Sequence, residues 1–151
     1  MKLRLLLSLT LILSLYASLV HAAEERLLMM RSTRSFPEAM LALQNTLSEY
    51  GYTVSRVQRV DIGLTGSGFQ TDRYRIVFFG RPDEIRELSA AHPELIPYLP
   101  LNITLIAEEE DTLLVALDPT ALQEVVPTRM FGYRLERWKS DILSVMDELR
   151  D

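Results

Sequence analysis

The sequence predicts an α+β fold, an antiparallel β-sheet with α-helices packed on one face, in the order β-α-β-β-α-β-β-α. Three observations predict it. The stretch Pro100 to Pro119, PLNITLIAEEEDTLLVALDP, reads as a β-hairpin with an acidic turn. In its first arm Leu101, Ile103, Leu105 and Ala107 alternate with Asn102, Thr104 and Glu108, the period of two of a half-buried strand. The second arm, Leu113 to Leu117, is apolar on both faces and so belongs inside a sheet. Elsewhere, apolar stripes recur at helical spacing. Strands and helices do not alternate one for one, which disfavours a doubly wound parallel sheet.

Residues 1–22 read as a signal peptide. Lys2 and Arg4 form a basic start, Leu5 to Val20 is almost unbroken in its apolarity, and Val20-His21-Ala22 suits cleavage after Ala22. An uncleaved anchor is the alternative, but the run is short for a span and Ser8, Thr10, Ser14 and Ser18 dilute it. The expected mature chain, 23–151, is one domain, large enough to stand on packing alone.

Glu24 to Thr33 supplies the first strand. Ser35 and Glu38 form a capping box with Pro37 in the first turn, and Phe36, Met40, Leu43 and Leu47 then mark a helix that Gly51 ends. Tyr52 to Asp61 is strand-like, but its alternation slips between Val54 and Val57, which predicts a bulge or a two-sided edge strand. Gly63 to Asp72 is the most loop-like stretch. Arg73 to Phe79 is a strand with Tyr74, Ile76 and Phe78 on one face, its arginines at the start and its far end buried on both sides. Pro82, Asp83 and Glu84 open a second helix with Ile85, Leu88 and Ala91 on its apolar face. Pro93 stops it, a short helical turn runs to Leu99, and the hairpin follows. Thr120 to Pro127 fits one more helical turn. Phe131, Leu135, Trp138, Ile142, Val145 and Leu149 mark a long C-terminal amphipathic helix, buried on the sheet or, secondarily, used for dimerisation.

The formal net charge is −5 and becomes about −7 once Lys2 and Arg4 leave with the leader. Nucleic acid is therefore not an expected partner, since binding it needs a basic footprint. With no cysteine, thiol redox chemistry, disulfides and Cys-ligated zinc are excluded.

From Ser35 onward the chain resembles the domain-of-unknown-function 302 family, small α+β domains of bacteria. The matching residues are Phe36-Pro37-Glu38-Ala39, Gly51-Tyr52-Thr53-Val54, Tyr74 to Pro82, Leu99-Pro100, Asn102 to Glu108 and Asp118-Pro119. Many members carry cysteines in a Cys-Asn-Pro element and in Leu-Pro-Cys, which here align with Gly80-Arg81-Pro82 and Leu99-Pro100-Leu101. Any role those thiols have is closed to this chain. The resemblance implies the fold and leaves activity open.

Glu108, Glu109, Glu110 and Asp111 cluster at the hairpin tip. They suit a hard cation, but without the interleaved Gly or Asn of a calcium loop they read better as a solvated turn. His92, the single histidine of the mature chain, sits where a cation suits a helix C-terminus, ahead of a catalytic reading. Gly66-Ser67-Gly68 lacks the Lys-Ser/Thr of a P-loop and the surroundings of a nucleophile elbow. Arg73 and Arg75 share a face and could clamp an anion, although pairing with the chain's own acids is the preferred reading. Arg73, Arg75 and His92 are thus the candidate ligand-binding residues. No catalytic set, metal or cofactor is expected. These features point to a periplasmic, non-enzymatic binding or accessory module for a small molecule or protein. A homodimeric interaction protein is the alternative, and an enzyme acting on an anionic substrate ranks behind it.

Overall fold

The computed structural model describes residues 26–126 and 129–151. The expected leader, its cleavage after Ala22, Glu24 and Pro127 lie outside the described residues. In chain order the elements are β1 (Leu27–Ser32), α1 (Phe36–Glu49), β2 (Thr53–Gln58), α2 (Val60–Gly66), β3 (Tyr74–Gly80), α3 (Pro82–Ala91), β4 (Leu101–Glu108), β5 (Asp111–Leu117) and α4 (Arg129–Glu148). Two 3₁₀ turns, Pro93–Tyr98 and Pro119–Glu124, occupy the positions expected of short helical turns. The sheet is antiparallel at every pairing, in the order β1-β5-β4-β3-β2.

The expected local signals hold. Glu38 reaches back to accept from the Ser35 N–H at 3.1 Å, closing the capping box at the start of α1. Gly51 follows the C-cap of α1 at φ 76°, a left-handed conformation that costs glycine little. The slip in β2 is a register shift between Val54 and Arg56, and β2 is an edge strand. The β4–β5 turn is two residues long, with Glu109 at φ 49°, the positive value that matches the twist of a tight hairpin.

Two expectations are corrected. Part of the loop-like stretch is helical, because α2 is held both by β3 and by a side-chain bond within its own turn. The Asp61 carboxylate accepts from the Arg75 guanidinium of β3, and the Thr65 hydroxyl donates to the Asp61 carbonyl at 2.7 Å. Those bonds override two glycines in seven residues. The other correction concerns burial. On β5, Val115 is only half-buried and Leu117 is 41% exposed, and on β3 Phe78 is half-buried. These strands are inside the sheet, but among the described residues no element covers one of its faces.

The covered face carries the core. Leu28 and Met30 of β1, Leu114 and Ala116 of β5, Ile103 and Leu105 of β4, and Val77 and Phe79 of β3 pack with Leu43 and Leu47 of α1. Helix α4 lays Leu135, Trp138, Ile142, Val145 and Leu149 into the same cluster. Trp138 is 1% exposed, so the C-terminal stripe is enclosed in its own core and is not a free dimerisation surface. The β1–α1 connection caps α4. Ser32 donates to the Leu149 carbonyl, the Thr33 N–H to Arg150 at 3.1 Å, and Arg34 to Asp151 at 2.8 Å and Glu148 at 3.2 Å.

The opposite face is read from the strand register. Its upper row runs Arg31, Leu113, Ile106 and Tyr74. The middle row is Met29, Val115, Thr104, Ile76 and Gln58. Below lie Leu27 against Leu117, then Phe78 between Asn102 and Arg56. None of these side chains belongs to the core cluster. Among the described residues, no helix is long and apolar enough to cross a membrane.

At the end of β5, Asp118 is buried and accepts from Lys139 of α4 at 2.6 Å and from the Thr120 N–H at 2.9 Å and hydroxyl at 2.7 Å. Burial pushes its carboxyl up, but the bonds from Lys139 and Thr120 outweigh that and hold it below the ordinary carboxylate range. A depressed folded-state pKa stabilises above the unfolded-state value near 4 and is lost as pH falls through the folded value. Asp118→Asn should therefore cost about 2 kcal/mol at neutral pH. Urea titrations should show the gap between variant and parent closing as the pH is lowered below about 4.

Candidate functional site

The three residues singled out in the sequence do not converge. The Arg73 guanidinium lies 4.6 Å from the centroid of the Phe36 ring, and that of Arg75 lies 5.8 Å from the same ring. Arg75 is mostly enclosed, paired with Asp61 and donating to the Tyr74 carbonyl at 2.8 Å. An anion would have to displace Asp61 to reach it. The Arg75 bond holds the Asp61 carboxyl below its ordinary range. His92 is the C-cap of α3, with its ring 6.3 Å from that of Phe131 and its Nδ1 3.3 Å from Glu94. At the hairpin tip, Glu108 is taken by Arg31 at 2.7 Å. Among the described residues, no three acids or histidines are gathered as metal ligands.

Polar groups do gather where α3 meets α4. Tyr52 is buried and donates to Asp141 at 2.6 Å, and its ring packs edge-on to Phe79. Arg81 stacks 4.6 Å over the Tyr52 ring, donates to the Tyr50 carbonyl at 2.9 Å, and stands 3.6 Å from Glu84 and 3.8 Å from Asp141. Glu84 also accepts from Arg137 at 2.6 Å and from the Trp138 indole at 3.2 Å. Burial raises the Glu84 pKa, but the bonds from Arg137 and Trp138 more than reverse it. Burial, then the Asp141 carboxylate, holds the Tyr52 hydroxyl well above the tyrosine range, so it remains a donor at any working pH. Every member is hydrogen-bonded or ion-paired to another. The network has the character of a bolt between helices rather than of an exposed acid, base or nucleophile.

Beside this bolt the surface opens into a cavity of about 410 Å³. Thr53 and Ser55 of β2 form one side, Gly80 and Pro100 the floor, and Pro82, Ile85 and Arg86 of α3 the other side. The floor is set by register. Phe79 pairs with Leu101 and Thr53 with Gly80, so Gly80 and Pro100 come together just below the last row of the open face. A Cβ on Gly80 would stand 2.9 Å from Ile85 Cγ1, 3.0 Å from Ile85 Cδ1 and 3.6 Å from Pro100 Cβ. The missing side chain is what lets Ile85 lean over the sheet. The lining is largely apolar, with the hydroxyls of Thr53 and Ser55 and the Arg86 guanidinium as its polar side-chain groups. Arg86 holds Asp83 at 3.0 Å in an exposed pair that competes weakly with any ligand. The volume falls within the roughly 300–1,000 Å³ usual for small-molecule sites. Sequence reading missed this cavity, although Pro82 and Pro100 both stand in the family resemblance.

A family model described as domain of unknown function DUF302 matches residues 28–149. The fold is similar to a crystal structure of an uncharacterized conserved DUF302 protein from Bacillus stearothermophilus, at a TM-score of 0.74 and 16% identity. That likeness covers 82% of this chain and 98% of the other. No curated protein matches the sequence.

Gly80→Ala should lower stability by about 1 kcal/mol, because Ile85 must leave its rotamer or the helix must shift. Adding Ile85→Ala should relieve most of that clash. Thermal melts of the single and double variants check this, and a double variant no better than Gly80→Ala would show that the glycine serves another purpose.

Proposed function

We propose that this chain, which belongs to the DUF302 family, works as an exported, non-enzymatic binding module that takes a small apolar molecule carrying one anionic group. The cavity walled by Ile85 and floored by Gly80 and Pro100 carries the reading. An aliphatic or aromatic body would cover Ile85, Pro82 and Pro100. Each fully buried aliphatic side chain on either partner contributes roughly 1.5–3 kcal/mol. The carboxylate or equivalent would exchange Asp83 for the ligand on Arg86, and Thr53 and Ser55 would supply hydroxyl bonds at the rim.

The non-enzymatic part rests on the state of the chemistry-bearing groups. Arg75, Glu84, Asp118 and Tyr52 are each held by partners from another element. Export rests on the basic, apolar and small-residue pattern of residues 1–22.

A thermal-shift series of straight-chain fatty acids and naphthoates, run on the protein beginning at Ala23, should raise the melting temperature through binding to the folded state. Ile85→Trp, which fills the cavity, should abolish the shift, while Arg73→Ala should preserve it. The reverse pattern would move the site to the Arg73–Arg75 face. The protein recovered from a periplasmic fraction should begin at Ala23 by N-terminal sequencing.

A further inference from the structure

The face of the sheet opposite the helices is dressed as an interior. Antiparallel sheets with one solvated face normally alternate apolar-in with polar-out. Here nine of the fourteen outward side chains in the three rows are apolar. Leu27 and Met29 are 47% and 57% exposed on the edge strand, and Leu113 of β5 is buried although it is outside the core cluster. Among the described residues, apolar side chains shield one another on this face without a layer above them.

From this geometry we infer that the open sheet face is the interface of a homodimer, two copies packed sheet to sheet about a two-fold axis. Charge and shape both fit a second copy. The charged side chains of the face, Arg31 and Arg56, lie at opposite corners on the two edge strands. Arg31 is already neutralised by Glu108 at 2.7 Å. Around a two-fold axis along the strands or across them, neither arginine faces an arginine. The centre of the face is Thr104 on the middle strand. The residue nearest such an axis meets its own copy. A threonine can do that, since its hydroxyl both donates and accepts. Polar groups stand on the middle strand, Thr104 and Asn102, and at the corners, Arg31 and Arg56, with apolar side chains between them.

The area is sufficient. Five strands about 4.8 Å apart and six residues long at about 3.3 Å each give a face of roughly 480 Å² in projection. Two such faces, with side-chain relief, reach the roughly 1,000 Å² that marks a specific interface. Face-to-face sheets pack about 10 Å apart with interdigitated side chains, the arrangement that Val115, Ile76 and Phe78 would then adopt.

Sedimentation velocity of the protein beginning at Ala23, which retains every described residue, tests the inference. The expected result at about 100 µM is a species of twice the chain mass, with a melting temperature that rises with concentration. Met29→Lys and Ile76→Lys should each raise the dimer dissociation constant at least tenfold. Far-UV circular dichroism and a cooperative melt should show that both still fold. Leu41→Lys, on an exposed position of α1, should leave the dimer intact. A monomer at that concentration, or a dimer indifferent to Met29→Lys and Ile76→Lys, or one equally weakened by Leu41→Lys, would overturn the inference. So would hydrogen-exchange protection of Met29 that appears only in the full chain, because residues 1–22 would then be the occupant.

Discussion

A five-stranded sheet has two faces, and the core of this chain is built on one of them. That one-sided burial governs the rest of the molecule. It places Leu43, Leu47, Trp138 and Val145 over the same side of β3, β4 and β5. Because α4 closes the core, its end must be secured, and the β1–α1 connection does this through Ser32, Thr33 and Arg34. Its middle is joined to α3 through Glu84, Arg137 and Trp138, and Lys139 is held against Asp118. These polar groups are occupied in fastening this single layer of helices.

Much of the fold was legible because the signals were local. The capping box, Gly51, the Val54 slip and the alternation of the first hairpin arm each involve neighbours within a turn or two, and each holds in the structure. Helix α2 was illegible because nothing local demands it. Its stability comes from Arg75, fourteen residues away in sequence. Local propensity loses to such a tertiary bond wherever the element is short. The cavity was illegible for a related reason. Thr53, Gly80, Ile85 and Pro100 are ordinary residues in sequence, and only the pairing of β2, β3 and β4 places them around one space.

Gly80 shows how the resemblance and the physics meet. The resemblance to the family aligns Gly80 and Leu101 with its two cysteine-bearing elements. Register places Phe79 across from Leu101, so both positions lie at the same end of the sheet. In this chain a side chain at Gly80 would run into Ile85. The absence of a side chain at Gly80 and the inward lean of Ile85 therefore go together.

The cavity and the open face are also neighbours. Gly80 follows Phe78 at the two-residue period that keeps side chains on one face of a strand, and Thr53 is its cross-strand partner. The cavity is thus the row of the open face in which the sheet's own side chains give out and α3 supplies a wall instead. A ligand seated on Gly80 and Pro100 would continue the apolar surface beyond Leu117 and Phe78. A second copy covering that surface would in turn shield the ligand from water. Affinity at either place would then depend on the other, and thermodynamic linkage would make that dependence reciprocal. On that reading, the face that the described residues leave uncovered would couple the two surfaces.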